Sequence, residues 1–165
     1  RQMTSALFYF CIILSGIRGH GAVLQIMGSK GMLIIMAAAL IMDLLICNVA
    51  VKNLVARTRP YDVNSSVQLL VAKLHDYSFP SGHTAASFAS VTALYLAGEK
   101  KLWKPALVLA CLIAVSRLYL YVHYPTDVLG GVILGILSGY AGYRIIAYIA
   151  KQKQRKNHAE DQRIN

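Results

Sequence analysis

The apolar residues of this chain fall into five blocks, and polar residues separate them. The blocks cover about residues 4–27, 31–51, 81–98, 102–121 and 126–150. A helix needs about 20 mainly apolar residues to cross a bilayer, and these blocks approach or reach that length. The first block is imperfect, because the letters GIRGHG in its middle bring in a charge and three glycines. The pattern predicts an all-α, polytopic transmembrane helical bundle with about five spans.

The composition supports a membrane location and argues against nucleic-acid binding. Hydrophobic residues make up 56% of the 165 residues, and the mean hydropathy is +0.50, whereas a soluble domain is usually about 45–50% apolar. The formal net charge is +10, which in a soluble protein would suggest nucleic acid. Here the basic residues lie in short connections, at span ends and in the tail, without interleaved aromatic residues. The predicted partner is therefore the bilayer, and the oligomeric state stays open.

We predict one membrane-embedded domain over residues 1–150, followed by a polar, basic tail over 151–165 that is frayed and solvated. Lysine and arginine in short loops favour the cytoplasmic side. Two predicted spans separate the basic connection at 99–104 from the tail, so both are expected on that side. The loop 52–80 and the junction 117–126 then share the extracytoplasmic face of a multi-pass protein of the cell membrane.

Several cations lie on that outer face, against the orientation rule. They are Lys52, Arg57, Arg59, Lys73 and Arg117. Such a cluster suggests a bound anion. Lys52 and Arg59 are seven residues apart, about two helical turns, so we expect them on one face at the end of the second span, before Pro60 stops the helix. The alternative is snorkelling of cations at a helix end. Arg57 could face lipid headgroups or assist the anion site, and we favour lipid headgroups.

The stretch Pro80-Ser81-Gly82-His83 stands at the mouth of the third block. Ser81 is a plausible N-cap, and Gly82 removes side-chain bulk. The free N–H groups and positive dipole end of such a helix start attract phosphate. His83 lies in this first turn. Beside an anion site it is a candidate general acid, and a purely structural histidine is the alternative.

A third cluster lies between the fourth and fifth blocks. Arg117 ends the fourth block, His123 lies in the short turn, and Asp127 follows Pro125. An arginine fork matches phosphate oxygens. Asp127 could hold one imidazole nitrogen of His123 and leave the other as a nucleophile. The alternative is an ordinary interfacial His–Asp hydrogen bond.

Taken in order, these clusters resemble the three-part signature of the type 2 phosphatidic-acid phosphatase family. The matching pattern is Lys52, six residues, Arg59-Pro60; then Pro80-Ser81-Gly82-His83; then Ser116-Arg117, five residues, His123, three residues, Asp127. The same superfamily includes vanadium haloperoxidases and bacterial undecaprenyl-pyrophosphate phosphatases. The resemblance covers roughly residues 31–145. Bacterial members usually have six spans, so either an N-terminal helix is missing or the first block compresses two. The sequence opens on Arg1, from which we expect an incomplete or processed N-terminus.

The resemblance implies a metal-independent phosphatase, without a cofactor, that acts on a lipid phosphate. His123 would attack phosphorus and become a phosphohistidine, Asp127 would orient it, and His83 would protonate the leaving oxygen. The phosphoryl group would be held by Lys52, Arg59, Ser81, Gly82 and Arg117. Undecaprenyl pyrophosphate is the favoured substrate, ahead of phosphatidate and phosphatidylglycerophosphate. A lipid phosphotransferase and a non-catalytic lipid-phosphate-binding protein remain as alternatives.

Two features lie outside the signature. Asp43 is an acid in the middle of the second block, where a charge needs a partner, and Arg18 is the candidate. Gly131, Gly135 and Gly139 recur every four residues in the fifth block. Small residues at this spacing let helices approach closely in lipid, so we expect them to serve packing.

Overall fold

The computed structural model describes residues 29–164, and this part of the chain is helical without strands. The helices are α1 (Ser29–Asp43), a π-helix (Leu44–Val51), α2 (Lys52–Val55), α3 (Pro60–Val63), α4 (Gly82–Leu96), α5 (Trp103–Tyr119) and α6 (Pro125–Ile164). The predicted all-α class is confirmed for these residues, and the last four apolar blocks each contain a long helical stretch. The first block and Arg18 lie outside the described residues.

Two helical stretches, Lys30–Val63 and Pro125–Arg163, are long and apolar enough to cross a membrane. Helices α4 and α5 have 15 and 17 residues, which is short of the roughly 20 that a perpendicular span needs. The count of about five spans therefore stays a prediction. Helix α4 packs against α1, α5 and α6, so it is the central helix of the described bundle.

The outward surface of the bundle is apolar. Large hydrophobic side chains stand exposed on α1, α5 and α6, among them Leu33, Ile41, Leu112, Val115 and Ile133. Contiguous apolar surface of this kind marks contact with lipid or with another protein. The interior holds two apolar clusters, one between α1, α4 and α6 and the other between α4, α5 and α6.

The first membrane helix ends earlier than predicted. Helix α1, the π-helix and α2 run on continuously to Val55, and Ala56 then adopts a left-handed backbone with φ of 46°. The expectation that Pro60 stops this helix is wrong, because Pro60 begins the short helix α3, where its missing N–H is not needed. Lys52 and Arg59 consequently do not share one helical face, and a different contact brings them together.

The tail is helical rather than frayed. Helix α6 has 40 residues, about 60 Å at 1.5 Å per residue, which is twice the thickness of the hydrocarbon core. The sequence after Gly142 contains neither glycine nor proline, and lysine, glutamine, arginine and alanine are good helix formers. Nearly all described side chains from Lys151 onward are exposed, and the solvation of the tail stays a prediction.

The glycine stripe of α6 lies against α4, which confirms its predicted role in packing. A Cβ atom at Gly131, Gly135 or Gly139 would come within 2.7, 2.3 and 2.7 Å of a backbone oxygen of α4 or its N-cap. Only hydrogen fits at these crossings, so the two helix axes can approach closely. The Gly131 crossing is against Ser81, and it sets the start of α4 beside the start of α6.

Replacing Gly135 with alanine is expected to destabilise the bundle. The added methyl group would lie 2.3 Å from the carbonyl oxygen of Ala85, so α4 and α6 would have to separate. Overpacking of this kind costs about 1–3 kcal/mol, and we expect a lower unfolding temperature for the purified variant in detergent. The control is Ile133→Ala on the outer face of α6, where the side chain is 60% exposed. Equal unfolding temperatures for the two variants would contradict this packing.

Asp43 is almost fully buried at the end of α1, and its Oδ1 has no hydrogen-bond partner among the described residues. A buried acid in a membrane span is costly unless it is paired. Because Arg18 lies outside the described residues, the Arg18–Asp43 pair stays a prediction.

Candidate active site

The three predicted clusters meet where α4 and α6 begin. The backbone N–H of Ser81 donates to the carbonyl oxygen of Asp127 at 3.0 Å. Arg59 Nη1 lies 3.5 Å from His123 Nε2. Residues far apart in the sequence therefore form one site, and its cations, histidines and helix start belong to one surface.

His123 is buried and held in one tautomer. Its Nδ1 lies 2.8 Å from the carbonyl oxygen of Ser78. A carbonyl oxygen only accepts hydrogen bonds, so Nδ1 carries the proton of the neutral ring. Nε2 is then unprotonated and faces Arg59. A bare imidazole nitrogen beside a cation is the arrangement that a nucleophile toward phosphorus needs.

Asp127 lies next to His123, but it acts on the ring largely through Ser78. The distance from Asp127 Oδ2 to His123 Nδ1 is 3.7 Å, within ion-pair range and beyond a hydrogen bond. Ser78 bridges the two, since its hydroxyl donates to Asp127 Oδ2 while its carbonyl oxygen accepts from His123. Ser78 was not among the predicted site residues, because a backbone carbonyl gives no signal in the residue type.

Arg57 contacts Asp127, which agrees with the second of its two predicted placements, beside the anion site, rather than with the favoured one at lipid headgroups. Its Nη1 donates to Asp127 Oδ1 at 2.7 Å and to Thr126 Oγ1 at 2.6 Å. Its guanidinium also lies 4.0 Å from the centre of the Tyr124 ring, a favourable cation–π contact. Arg57 therefore supports the carboxylate of Asp127 from the side opposite Ser78.

Asp127 is fully buried and accepts hydrogen bonds on both oxygens. Oδ1 accepts from Arg57, and Oδ2 accepts from the Ser78 hydroxyl and from the backbone N–H of Tyr124 at 2.9 Å. A carboxylate surrounded by donors only is held ionised and in one orientation. This network fixes the turn that carries His123.

Lys52 and Arg59 meet at Asp76, a residue outside the three motifs. The Asp76 carboxylate pairs with Lys52 through Oδ2 and with Arg59 through Oδ1. Burial alone would raise the pKa of Asp76, but the hydrogen bonds and charges of Lys52 and Arg59 outweigh it and lower the pKa to about 2. No pattern in the sequence points to Asp76, because it lies in the long polar loop and the loop's course decides its neighbours.

Arg117 is the motif cation that stays available. Its Nε and Nη2 contact only the hydroxyl of neighbouring Ser116, at 3.2 and 3.1 Å, and it has no acidic partner among the described residues. His83 is exposed on the first turn of α4, within electrostatic range of Arg117 and His123. The unused donors of Arg117 suit the oxygens of a phosphate ester. The accessible imidazole of His83 suits protonation of its leaving oxygen.

The start of α4 supplies neutral donors. Ser81 occupies the N-cap position with a buried side chain, but its hydroxyl bonds to Thr84 Oγ1 at 2.9 Å rather than capping the helix. The N–H of Gly82 is one of the groups that a helix start leaves without an intrahelical acceptor. A Cβ atom at position 82 would lie 3.0 Å from Asn48 Oδ1, so glycine lets the start of α4 pack closely against Asn48. Among the described residues, no group of three His, Cys, Asp or Glu side chains is arranged to hold a metal.

Comparison with known proteins decides the family. The sequence model of the PAP2 superfamily matches residues 32–151, which is most of the chain. The chain belongs to the PAP2 superfamily. The resemblance drawn from the three motifs is thereby confirmed, and the match includes every residue of the site described above.

Individual PAP2 relatives are similar over part of their length. An undecaprenyl-diphosphatase of Sulfolobus acidocaldarius is 34% identical over 94 residues, which is 57% of this chain and 46% of the relative. Undecaprenyl-diphosphatase BcrC of Bacillus subtilis is 32% identical over 61% of this chain and 51% of its own. The chain thus spans about half the length of these curated relatives.

A solved structure shares the fold. LpxE of Aquifex aeolicus superposes with a TM-score of 0.62 at 29% identity, over 85% of this chain and 77% of that one. This agreement over most of the chain supports the helical arrangement described above. The PAP2 family match and the two long apolar helices support a membrane protein with a helical PAP2 core.

Proposed function

We propose that this protein is an integral membrane lipid phosphatase that hydrolyses a lipid phosphate or pyrophosphate through a phosphohistidine at His123. The observation that carries the proposal is the 2.8 Å distance from His123 Nδ1 to the carbonyl oxygen of Ser78, from which the tautomer follows. The Ser78 carbonyl holds the proton on Nδ1, and Nε2 is left bare next to Arg59. This is the protonation state in which an imidazole can attack phosphorus without first losing a proton.

The first step transfers the phosphoryl group to the enzyme. Nε2 of His123 forms the P–N bond as the bond from phosphorus to the lipid-side oxygen breaks, and His83 gives a proton to that oxygen. Arg117, Lys52 and Arg59 stabilise charge on the phosphoryl oxygens. The Gly82 N–H contributes, and so does the Ser81 hydroxyl, which can donate to phosphate when Thr84 Oγ1 donates to it. The ring of His123 becomes cationic in this step, and the buried Asp127 carboxylate 3.7 Å away stabilises it.

The second step restores the enzyme. A water molecule attacks the phosphohistidine, the P–N bond breaks, and inorganic phosphate leaves with His123 neutral again. The His83 ring, now without its proton, is the base that takes a proton from this water. Neither of the two reaction steps requires a metal ion, and we propose that the reaction is metal-independent.

Undecaprenyl pyrophosphate is the substrate that we favour, with phosphatidate-type lipids next. Curated relatives named undecaprenyl-diphosphatase support this order. A site at the ends of membrane helices suits a substrate with a hydrated phosphate and an apolar tail. We place the site at the extracytoplasmic face and the helical tail in the cytoplasm, because the basic connection and tail follow the orientation rule.

The experiment is a panel assay on the purified full chain in detergent. Undecaprenyl pyrophosphate, phosphatidate and phosphatidylglycerophosphate are each supplied in EDTA, and both phosphate and lipid products are measured. We expect phosphate release in chelator, greatest with undecaprenyl pyrophosphate. Activity that vanishes in EDTA and returns with Mg²⁺ would contradict the metal-free mechanism. A phosphorylated acceptor lipid in place of free phosphate would identify a phosphotransferase instead.

A further inference from the structure

Asp76 is the residue of the loop 64–81 that contacts both Lys52 and Arg59. Its carboxylate accepts from Lys52 on one oxygen and from Arg59 Nη2 on the other at 2.5 Å. Its backbone carbonyl accepts from Arg59 Nε at 2.8 Å. One residue therefore contacts Lys52 and two separate nitrogens of Arg59.

Each nitrogen of the Arg59 guanidinium has protein acceptors. Besides its two bonds to Asp76, Arg59 donates from Nη1 to the carbonyl oxygen of Val122 at 2.8 Å, and Nη2 lies 3.4 Å from the carbonyl oxygen of Tyr77. The remaining contact of Nη1 is the 3.5 Å approach to His123 Nε2. The plane of the Arg59 guanidinium is thus fixed, and its longest contact is the one from Nη1 to the proposed nucleophile, His123 Nε2.

Asp76 itself is held from the loop side. Two residues before it, the N–H and carbonyl of Leu74 bond to the Tyr61 hydroxyl at 3.0 and 2.9 Å. Two residues after it, the N–H of Ser78 donates to the carbonyl oxygen of Arg57 at 2.8 Å. The backbone is hydrogen-bonded on both sides of Asp76, so the Asp76 carboxylate has a fixed position from which it can hold Lys52 and Arg59.

We propose that Asp76 is a positioning residue that sets Lys52 and Arg59 in the geometry that receives the phosphoryl group on His123. The proposal rests on the proposed function for its catalytic consequence. Asp76 touches neither His123 nor any reacting atom, and it acts through the two cations. Lysine and arginine side chains lose considerable rotamer entropy when they are held in place. The contacts of Asp76 with Lys52 and Arg59, here called the clamp, impose this entropy loss before the substrate binds.

The clamp has an opposing effect that makes the proposal testable. A carboxylate beside two cations also repels an incoming phosphate, so removing its charge could tighten anion binding. Positioning outweighs repulsion in our account, because Asp76 fixes two nitrogens of a buried guanidinium while its own side chain is half exposed and screened by solvent. The two effects shift phosphate affinity in opposite directions.

Asp62 provides a matched control. Asp62 and Asp76 both line an open cleft of about 340 Å³ beside Arg59. Asp62 is exposed and forms no ion pair with another described residue. Asp62→Asn and Asp76→Asn therefore remove the same charge from the same cleft, and only the second breaks the clamp.

The experiment compares wild type, Asp76→Asn, Asp76→Glu and Asp62→Asn as full chains in detergent. Inorganic phosphate binding is measured by calorimetry, lipid turnover by phosphate release, and folding by unfolding temperature. For Asp76→Asn we expect about tenfold weaker phosphate binding and a kcat about 10–100-fold lower, since small misplacements of binding groups carry costs of that size. We expect Asp76→Glu to recover part of both losses, and Asp62→Asn to stay within about twofold of wild type.

The outcomes of this experiment distinguish a positioning role of Asp76 from a purely structural one. Phosphate binding by Asp76→Asn that equals or exceeds that of Asp62→Asn would overturn it, even with a lowered unfolding temperature, because a merely structural role leaves affinity intact. If Asp76→Asn does not fold, Asp76→Glu decides, and unchanged phosphate binding there overturns the proposal. A wild-type protein that binds phosphate but hydrolyses no lipid would defeat the proposed function and leave the binding comparison valid.

Discussion

His123→Ala is expected to reduce phosphate release to the background rate. The substitution removes the only protein group that bonds to phosphorus in our account, and loss of a covalent nucleophile in other enzymes lowers kcat by about 10⁴-fold or more. Arg117, His83 and the start of α4 remain in place, so lipid binding should persist. The measurement is phosphate release from undecaprenyl pyrophosphate, with substrate binding determined separately on the same sample.

The control for this variant is His158→Ala. His158 lies exposed in the helical tail, far along α6 from the site, and should leave the rate unchanged. Folding of His123→Ala is checked by its unfolding temperature, because the buried Ser78 carbonyl loses its partner. Phosphate release by folded His123→Ala above about one hundredth of the wild-type rate would contradict the nucleophile assignment.

Asp127→Asn is expected to lower kcat by about 10²–10³-fold. Asp127 meets a donor at Oδ1 and two donors at Oδ2. An amide has only one acceptor end, so its NH₂ group must face a donor in either orientation. The substitution also removes the negative charge 3.7 Å from the His123 ring, which becomes cationic in the first step. The loss in other enzymes with a histidine supported by aspartate reaches about 10⁴-fold, and the longer distance here suggests a smaller effect.

A double-mutant cycle with Arg57 tests whether the amide of Asp127→Asn is in conflict with the donors around it. In Arg57→Gln the amide oxygen can accept from the NH₂ group of asparagine at position 127, which relieves one donor–donor conflict. We therefore expect Asp127→Asn to cost less activity in the Arg57→Gln background than in wild type. Coupling between contacting residues is usually about 0.5–3 kcal/mol. Strictly additive losses would show that Arg57 and Asp127 do not act together.

The helices were predictable because lipid leaves a backbone few choices. Every buried N–H and C=O must be satisfied within the span, so an apolar block becomes a helix. The end of the first helix was not predictable in the same way. Ala56 takes a left-handed conformation that alanine rarely adopts, and the fold around it selects that turn. Pro60 gave a clear local signal, but the chain used it to start a helix.

The motif residues of the site could be found from the sequence, while their supports could not. His123 and Asp127 are four residues apart, and the three motifs together resemble a family signature, so residue type, spacing and that resemblance carried the prediction. Ser78 acts largely through its backbone carbonyl, which every residue possesses. Arg57 and Asp76 look like ordinary charges at a span end and in a polar loop. Only the folded loop shows that they hold Asp127 and Arg59.

The stereochemical course at phosphorus tests the central claim most directly. The substrate is a lipid thiophosphate made chiral with oxygen isotopes, and the configuration of the released thiophosphate is determined after hydrolysis in isotopically labelled water. Attack by His123 followed by attack of water consists of two in-line displacements, each of which inverts phosphorus. Our account predicts net retention of configuration. Net inversion would mean that water attacks the lipid phosphate directly, and it would contradict a phosphohistidine at His123.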